Sequence, residues 1–438
     1  MSTASAIPRH DPYAALRLPE FRRFISARAC MTLATQIQGV AVSWQLFKLT
    51  GDPLALGLIG LAEAIPSIVV SLYAGHLADS VRRKNIIVAM VAVLLLCSGA
   101  LWLLASPTGL PFLTAGISFR VPLAGLVVLK ALPLYAVIFV SGVARGFLGP
   151  AVFSFMPQLM PAREHLANAI TWSSTTWQTA AVVGPAVGGL LFAHFGMSVA
   201  YGVDIALMAL SLLLFISIAG RPLPVTEGEK LNLKESVLSG MQFIFQNQLV
   251  LAALSLDLFA VLFGGAVALL PVFADKVLMV GAEGLGYLRA APAVGSVLMA
   301  VSLTYFPLRR KAGLKLLWAV AGFGLATILF ALSSSFWLSL FLLFMTGVFD
   351  SVSVIVRSTL IHTYTPEYMK GRVSAVNNIF IGSSNEIGAF ESGVAARLLG
   401  VVQSVVFGGA MTLLVVGITA WRADKLRRLD LTPESVKA

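Results

Sequence analysis

The sequence GHLADSVRRK, residues 75–84, joins two long apolar stretches and decides how the chain folds. It brings one acid, Asp79, and three bases, Arg82, Arg83 and Lys84, into a short turn between segments rich in leucine, isoleucine and valine. A charge at the centre of a bilayer costs about 2.5–3.5 kcal/mol on insertion scales, so this turn must lie at a membrane surface. The two flanking stretches are therefore predicted to be antiparallel membrane-spanning helices.

The composition of the whole chain agrees with a membrane setting. Of 438 residues, 58% are hydrophobic and 12% are charged, and the mean hydropathy is +0.88. A soluble domain has about 25% charged residues and could not keep so much apolar surface away from water. The net charge of +11 comes from bases in short polar segments rather than from one basic face. This distribution argues against nucleic acid as a partner and favours a lipid bilayer.

Hydropathy and charge together predict the topology. A spanning helix needs about 20 mostly apolar residues, and about twelve segments meet this length. The polar N-terminal residues do not resemble a signal peptide, so the first apolar segment is expected to be retained as a span. Bases are concentrated in alternate connections, and the positive-inside rule then places both termini in the cytoplasm.

The longest polar interruption lies near the middle of the chain and divides six spans from six. Two such halves, related by an axis along the membrane normal, bind substrate at their interface. We therefore predict an all-α polytopic membrane protein with two pseudo-symmetric six-helix bundles, located in the cell (inner) membrane. The predicted segments are a cytoplasmic N-terminal segment with an amphipathic lead-in at 1–24, an N-terminal bundle at 25–220, a cytoplasmic linker with an interfacial helix at 221–246, a C-terminal bundle at 247–421 and a cytoplasmic tail at 422–438.

Charged side chains inside the predicted spans are candidate functional groups, since such residues normally face the bundle interior or a water-filled cavity. Asp257 has no basic residue within two turns on its own helix, which favours a role in reversible proton binding. Asp350 and Arg357 stand seven residues apart and so share one face of the tenth span. The proton-coupling candidates are Asp257, Asp350, Glu386 and Glu63, and the candidates for charge pairing or substrate binding are Arg145, Arg357, Gln36, Asn377 and Asn385. For each of them the alternative is a static polar contact that fixes helix packing.

The sequence GPAVGG, residues 184–189, lies midway along the fifth predicted span. Gly184 and Gly188 stand four residues apart, so that another helix can approach closely. Pro185 removes a backbone hydrogen bond and favours a kink. The alternative is a packing groove without a mechanistic role.

Enzyme motifs are absent from the sequence. There is no GxxxxGK[ST] phosphate loop, no GxGxxG after a strand, no HExxH and no paired CxxC. We therefore expect no catalytic residues, no metal and no cofactor, and we do not expect ATP-driven pumping by this chain alone.

Several of these features together resemble the major facilitator superfamily. The hairpin at 75–84 is similar to that family's motif A, Arg145 with Gly149 to motif B, and GPAVGG to motif C, which is associated with antiporters. The stretch from Arg357 through TPEYMKGRVSAVNN to SNEIGAFESG resembles the branch that contains the enterobactin exporter and macrolide efflux proteins.

The resemblance implies a rocker-switch transporter whose central cavity opens alternately to the two sides of the membrane. It implies a cytoplasmic gate formed by Gly75, Asp79, Arg83 and Arg372. It also implies an antiporter-type kink formed by Gly184, Pro185, Gly188 and Gly189. Three positions, Ser80, Arg82 and Leu148, depart from the family's motifs.

The leading hypothesis is a secondary active transporter, a proton-coupled exporter of a small amphiphilic organic molecule such as a drug-like compound or a siderophore. Its partners would be that molecule, protons and the bilayer, and it would function as a monomer. Two alternatives stay open. One is a carrier for uptake or facilitated diffusion of a metabolite, and the other is a non-transporting membrane receptor or membrane-embedded enzyme.

Overall fold

The first half of the chain forms a bundle of long helices. The computed structural model describes residues 13–106, 123–161, 164–221, 233–306, 310–366 and 369–430, and within these ranges there is no β-strand. The long helices of the first half are α1 (Pro19–Thr50), α2 (Pro53–Ser80), α3 (Arg83–Ala105), α4 (Leu123–Phe155), α5 (Glu164–Phe195) and α6 (Met197–Ser217).

The second half opens with an amphipathic linker helix, Leu233–Gln246. Asn247 ends it and begins the next helix, because its side-chain oxygen accepts hydrogen bonds from the backbone N–H groups of Leu249 and Val250, both at 3.2 Å. The helices that follow are α7 in two segments (Gln248–Phe263 and Ala266–Val272), α8 (Gly281–Tyr305), α9 (Ala312–Leu332), α10 (Phe336–Tyr364), α11 (Lys370–Leu399), α12 (Val401–Arg422) and a short tail helix (Asp424–Arg427).

Twelve of these elements can serve as spans. Among the described helices, ten are long and apolar enough to cross a membrane, with both segments of α7 counted as one span. The other two, α1 and α11, contain 32 and 30 residues, more than the about 20 that a span needs. Both carry many polar side chains, which lower their mean hydropathy. The predicted twelve-span, all-α fold class is confirmed.

Each half is built around its own apolar core. In the first half the fully buried Phe24 of α1 joins α4 to α6, since its ring lies 6.2 Å from that of Phe155 and 6.1 Å from that of Phe215. In the second half one cluster of buried side chains unites the linker helix with α7 and α9 to α12. A third cluster contains Trp44 of α1 and Leu269 of α7, and it joins the two halves.

Helix α1 begins at Pro19, inside the predicted lead-in at 1–24, and continues without a break to Thr50. Phe21 and Phe24 follow the helical period of α1 and are both fully buried in the first core. Their packing explains why the helix extends this far.

The hairpin at 75–84 has the predicted shape, because α2 ends at Ser80 and α3 begins at Arg83. The Lys84 ammonium donates a hydrogen bond to the carbonyl oxygen of Ile216 at 2.8 Å, and Arg83 Nη1 donates to that of Ser154 at 2.9 Å. Both bases thus satisfy backbone carbonyls at the ends of α6 and α4, where a helix dipole favours a positive charge. They stabilise the first half from within.

Candidate functional site

The two halves meet tightly at one face of the bundle. We call the face at which α1 begins and α12 ends the tail side, and the opposite face the far side. On the far side, Lys48 of α1 pairs with Asp275, just after α7, at 2.5 Å, and Arg397 of α11 lies 3.4 Å from Asp52, just before α2. These ion pairs join the first half to the second where the spans end. Neither pair can be predicted from local sequence, because the partners lie more than 200 residues apart.

The GPAVGG glycines of α5 lie along this seam. Gly184 and Gly188 contact α1 of the same half, whereas Gly189 meets Gly286 of α8 in the other half. A Cβ atom added to Gly189 would overlap the Cα atom of Gly286, so no larger residue fits there without moving one helix. The helix itself continues through Pro185 to Phe195. The glycines therefore provide the close helix approach that the sequence suggested.

A partly open cavity of about 690 Å³ lies in the tail-side half of the first bundle. Its position follows from its lining, which comes from the first half of α1, the end of α4 and the beginning of α5. Such a volume is in the usual range for binding sites of drug-sized molecules. The residues that line it are Arg28, Met31, Thr32, Thr35, Gln36, Leu94, Arg145, Leu148, Gly149, Val152, Phe153, Met156, Pro157, Leu166, Ile170, Ser173, Ser174 and Trp177.

The polar side chains of the cavity include two arginines, which only donate hydrogen bonds, together with hydroxyl and amide groups, which both donate and accept them. Arg28 Nη1 donates a hydrogen bond to Ser173 Oγ across the space between α1 and α5. Gln36 and Arg145, both predicted for charge pairing or substrate binding, line the same cavity, and no acidic side chain does so among the described residues. No role for Arg28 can be predicted from the sequence, since the order of residues does not indicate which helix lies opposite α1.

A cluster of three charged groups lies next to this cavity. Arg145 of α4 forms an ion pair with Glu63 of α2. Glu386 of α11, from the other half, lies beside Gly60 of α2, one turn before Glu63, where a Cβ atom on Gly60 would stand 2.9 Å from Glu386 Oε2. Glu63 and Arg145 both act on Glu386 electrostatically. Three of the predicted residues are thus brought together at the seam.

The second half contains a separate ion pair. Arg357 of α10 pairs with Asp257 of α7, and both side chains are buried. The partner of Arg357 is therefore on another helix, and Asp350, which shares its face of α10, is not the residue it pairs with. Asp257 has no base on its own helix, as its sequence context indicated, but tertiary packing supplies one.

A third buried polar group was not among the predicted site residues. Asp204 of α6 is fully buried, and its Oδ2 accepts a hydrogen bond from Gln38 Nε2 of α1 at 3.3 Å. The same amide nitrogen lies 3.2 Å from Ser98 Oγ of α3. Asp204 therefore ties three helices of the first half together.

The remaining predicted residues lie apart from these clusters or outside the described side chains. Asn377 Oδ1 is buried and has no hydrogen-bond partner among the described residues, and Asn385 Nδ2 donates to the carbonyl oxygen of Ile381 on its own helix at 2.9 Å. Of the gate residues, Gly75 and the side chains of Asp79 and Arg372 are outside what the structure describes, so the gate stays a prediction. In the described part of the chain, no three His, Cys, Asp or Glu side chains come together as a metal site would require.

Similarity to known families agrees with this architecture. The family model described as Major Facilitator Superfamily matches residues 24–389. The chain belongs to this superfamily. It is therefore a multi-pass membrane transporter and not an enzyme, which confirms two predictions made from the sequence.

Curated relatives within the superfamily extend over the same length. Two proteins named Enterobactin exporter EntS, from Shigella boydii serotype 18 (strain CDC 3083-94 / BS512) and Escherichia coli O81 (strain ED1a), are each 28% identical to this chain over 422 residues. Each alignment covers 96% of this chain and 95% of the relative. The resemblance to the branch that contains the enterobactin exporter is confirmed.

Solved structures of other transporters share the fold. A POT family transporter in complex with 5-aminolevulinic acid has a TM-score of 0.69 at 11% identity, and the match covers 93% of this chain and 96% of that one. A bacterial homologue of the human lysosomal transporter Spinster also has a TM-score of 0.69, at 15% identity, with 95% and 99% covered. At these identities the likeness concerns the fold alone.

Proposed function

We propose that this chain is a proton-coupled exporter of small amphiphilic organic molecules, drug-like compounds or siderophores, which works by alternating access. The observation that carries the proposal is the double contact of Arg145. Its side chain lines the cavity and also pairs with Glu63, beside Glu386 of the opposite half. A ligand in the cavity and a proton on the cluster would therefore act on the same guanidinium.

The charges of Glu63, Arg145 and Glu386 suggest how proton binding would be coupled to movement of the two halves. The cluster holds two carboxyl groups and one guanidinium, so that binding of one proton makes it neutral. Glu386 belongs to the half that must move away from α2 when the far side opens, and protonation would weaken its attraction to Arg145. We therefore rank Glu386 and Glu63 above Asp257 and Asp350 as proton carriers.

The proposed direction of transport rests on the orientation of the chain in the membrane and on the exporter name of its relatives. Bases are concentrated at tail-side positions such as Arg83, Lys84 and Lys425, and the positive-inside rule assigns that side to the cytoplasm of the inner membrane. The cavity would then collect its substrate from the cytoplasm. The antiporter-associated GPAVGG sequence and the exporter name of the relatives favour outward movement, and we propose that the monomer is sufficient for it.

Accumulation of fluorescent amphiphilic dyes in everted membrane vesicles tests this proposal. We expect vesicles that contain the chain to take up at least one dye when their interior is acid, and nigericin to abolish the uptake. The Glu386→Gln variant should lose it, whereas the matched variant Glu391→Gln, five residues along the same helix, should keep it. Uptake that survives nigericin would refute proton coupling, and movement only down the dye's own gradient would indicate a facilitated-diffusion carrier.

A further inference from the structure

The charges of the cavity are unbalanced at Arg28. Of the two arginines that line it, Arg145 is paired with Glu63, whereas Arg28 has no acidic partner among the described residues. Its guanidinium instead donates a hydrogen bond to the neutral hydroxyl of Ser173. No acid lines the cavity among the described residues, so Arg28 gives this described lining a net positive charge.

The position of Arg28 differs from that of a base that merely marks the membrane surface. Arg22 and Arg23, one to two turns earlier on α1, are exposed, whereas Arg28 is half-buried and directed toward α5. Thr32 and Thr35 follow it at the spacing of one helix face and line the same cavity. The result is a stripe of polar side chains on α1 that lines the cavity.

The opposite wall of the cavity is apolar around a small polar centre. On α5, Ile170 and Trp177 flank Ser173 and Ser174, and the four residues share one face of the helix. Trp177 is 50% exposed and Ile170 is 48% exposed, although both belong to the cavity lining. An exposed indole ring inside a binding cavity offers an aromatic or apolar ligand a large contact surface.

We propose that Arg28 and Ser173 form a subsite for the anionic group of the transported molecule, with its aromatic or apolar body against Trp177 and Ile170. The substrate class is therefore an amphiphilic organic anion, whose carboxylate, sulfonate, phosphate or catecholate oxygens accept charge-assisted hydrogen bonds from Arg28. This inference rests on the proposed transport function, because it names the substrate of the same cavity.

A pair of probes that differ in charge and hardly in shape tests the subsite. Isothermal titration calorimetry would compare 1-naphthoate with its neutral analogue 1-naphthamide on the purified full chain in dodecyl maltoside. We expect the wild type to bind naphthoate at least about tenfold more tightly than naphthamide. Arg28→Gln should remove this preference, Arg28→Lys should keep most of it, and Ser173→Ala should reduce it.

The matched control is Arg22→Gln, which removes an exposed arginine from the same helix and should leave both affinities unchanged. Equal binding of the two probes to the wild type, or no binding of naphthoate, would overturn the proposal. So would an equal loss of both probes in Arg28→Gln, since that result indicates shape rather than charge. Displacement of naphthoate by dihexanoylphosphatidylglycerol but not by dihexanoylphosphatidylcholine would instead assign the subsite to a lipid headgroup.

The binding measurement needs no pH gradient, so it can be separated from the test of export. Charge-selective binding without coupled dye transport would contradict the proposed function and leave the subsite in place. Proton-coupled dye transport, together with equal binding of naphthoate and naphthamide, would contradict the subsite and leave the proposed function in place.

Discussion

Each half of the molecule contains an ion pair between an arginine and a carboxylate of its spans, but the two pairs have different surroundings. Arg357 and Asp257 have side-chain exposures of 4% and 9%, and lie within the second half. Arg145 and Glu63 have side-chain exposures of 33% and 25%, and lie between the cavity and the seam. A second carboxyl group, from Glu386 of the other half, accompanies only the latter pair among the described residues.

The difference teaches that chemistry alone does not decide whether an ion pair can switch. Removal of one partner from an ion pair sealed in a core lowers the free energy of unfolding by several kcal/mol, because the other charge stays buried without compensation. A pair that borders water and a movable half can exchange partners at small cost. We therefore interpret Arg357 and Asp257 as a fixed contact, and Arg145 and Glu63 as the part that responds to protons and ligand.

The largest expected effect comes from breaking the sealed pair. Arg357→Met should lower the free energy of unfolding by about 3–5 kcal/mol, since it strands the Asp257 carboxylate in the core. Denaturant titration of the purified protein in detergent measures this change. The double variant Asp257→Leu/Arg357→Met should recover most of the stability and keep transport. If the double variant is stable but does not transport, the pair is not a fixed contact and the comparison fails.

The next effect concerns transport rather than stability. Glu386→Gln should reduce proton-driven transport about a hundredfold, equivalent to about 2.8 kcal/mol, because the cluster then has no acid on the second half. Its free energy of unfolding should stay within about 0.5 kcal/mol of the wild-type value. Vesicle transport and denaturant titration of the same preparations separate the two quantities. A large loss of stability would show that Glu386 is a packing residue.

A smaller effect is expected when the contact between the halves is disturbed beside the cluster. In Gly60→Ala the new Cβ atom would stand 2.9 Å from both the carbonyl oxygen and Oε2 of Glu386, so α2 and α11 must separate slightly. Overpacking of this kind costs about 1–3 kcal/mol, and we expect transport to fall about tenfold. Gly39→Ala is the control, since nothing lies within 4 Å of an added Cβ atom there. Equal transport by the two variants would mean that the cluster tolerates separation.

The smallest effect is expected for the stability of the pair beside the cavity. Arg145→Met should lower the free energy of unfolding by about 1 kcal/mol or less, because both partners reach water. The same denaturant titration as for Arg357→Met makes the two losses directly comparable. Losses of equal size would remove the distinction between the sealed pair and the responsive pair.

Local patterns accounted for the predictions that succeeded. The hairpin at 75–84 and the twelve apolar segments are each contained in a short run of sequence. Unpaired backbone polar groups are costly in lipid, so an apolar segment that crosses the bilayer has few possible structures besides a helix. The small residues of GPAVGG, which permit close helix approach, are likewise read directly from adjacent positions. Arg145 and Glu386 could be named as intramembrane charges, since such residues are expensive and stand out in apolar segments.

Partners across the bundle could not be predicted in the same way. Asp257 and Arg357 are 100 residues apart, and the helical period relates Arg357 to Asp350 but cannot bring another helix beside it. The sequence shows that Arg28 is a base near the start of the first apolar segment. Its proposed role in binding an anion depends on its contact with Ser173 of α5, and on the fact that no acid lines the cavity among the described residues.

The sequence by itself determined that this chain spans a membrane, how many times it does so and which superfamily it belongs to, because hydropathy and motifs act over neighbouring residues. Only the tertiary structure decided which charges are paired, which are sealed in a core and which border the cavity. The physical reason is that the energy of a charge depends on the groups around it in space, and helices from distant parts of the chain supply those groups.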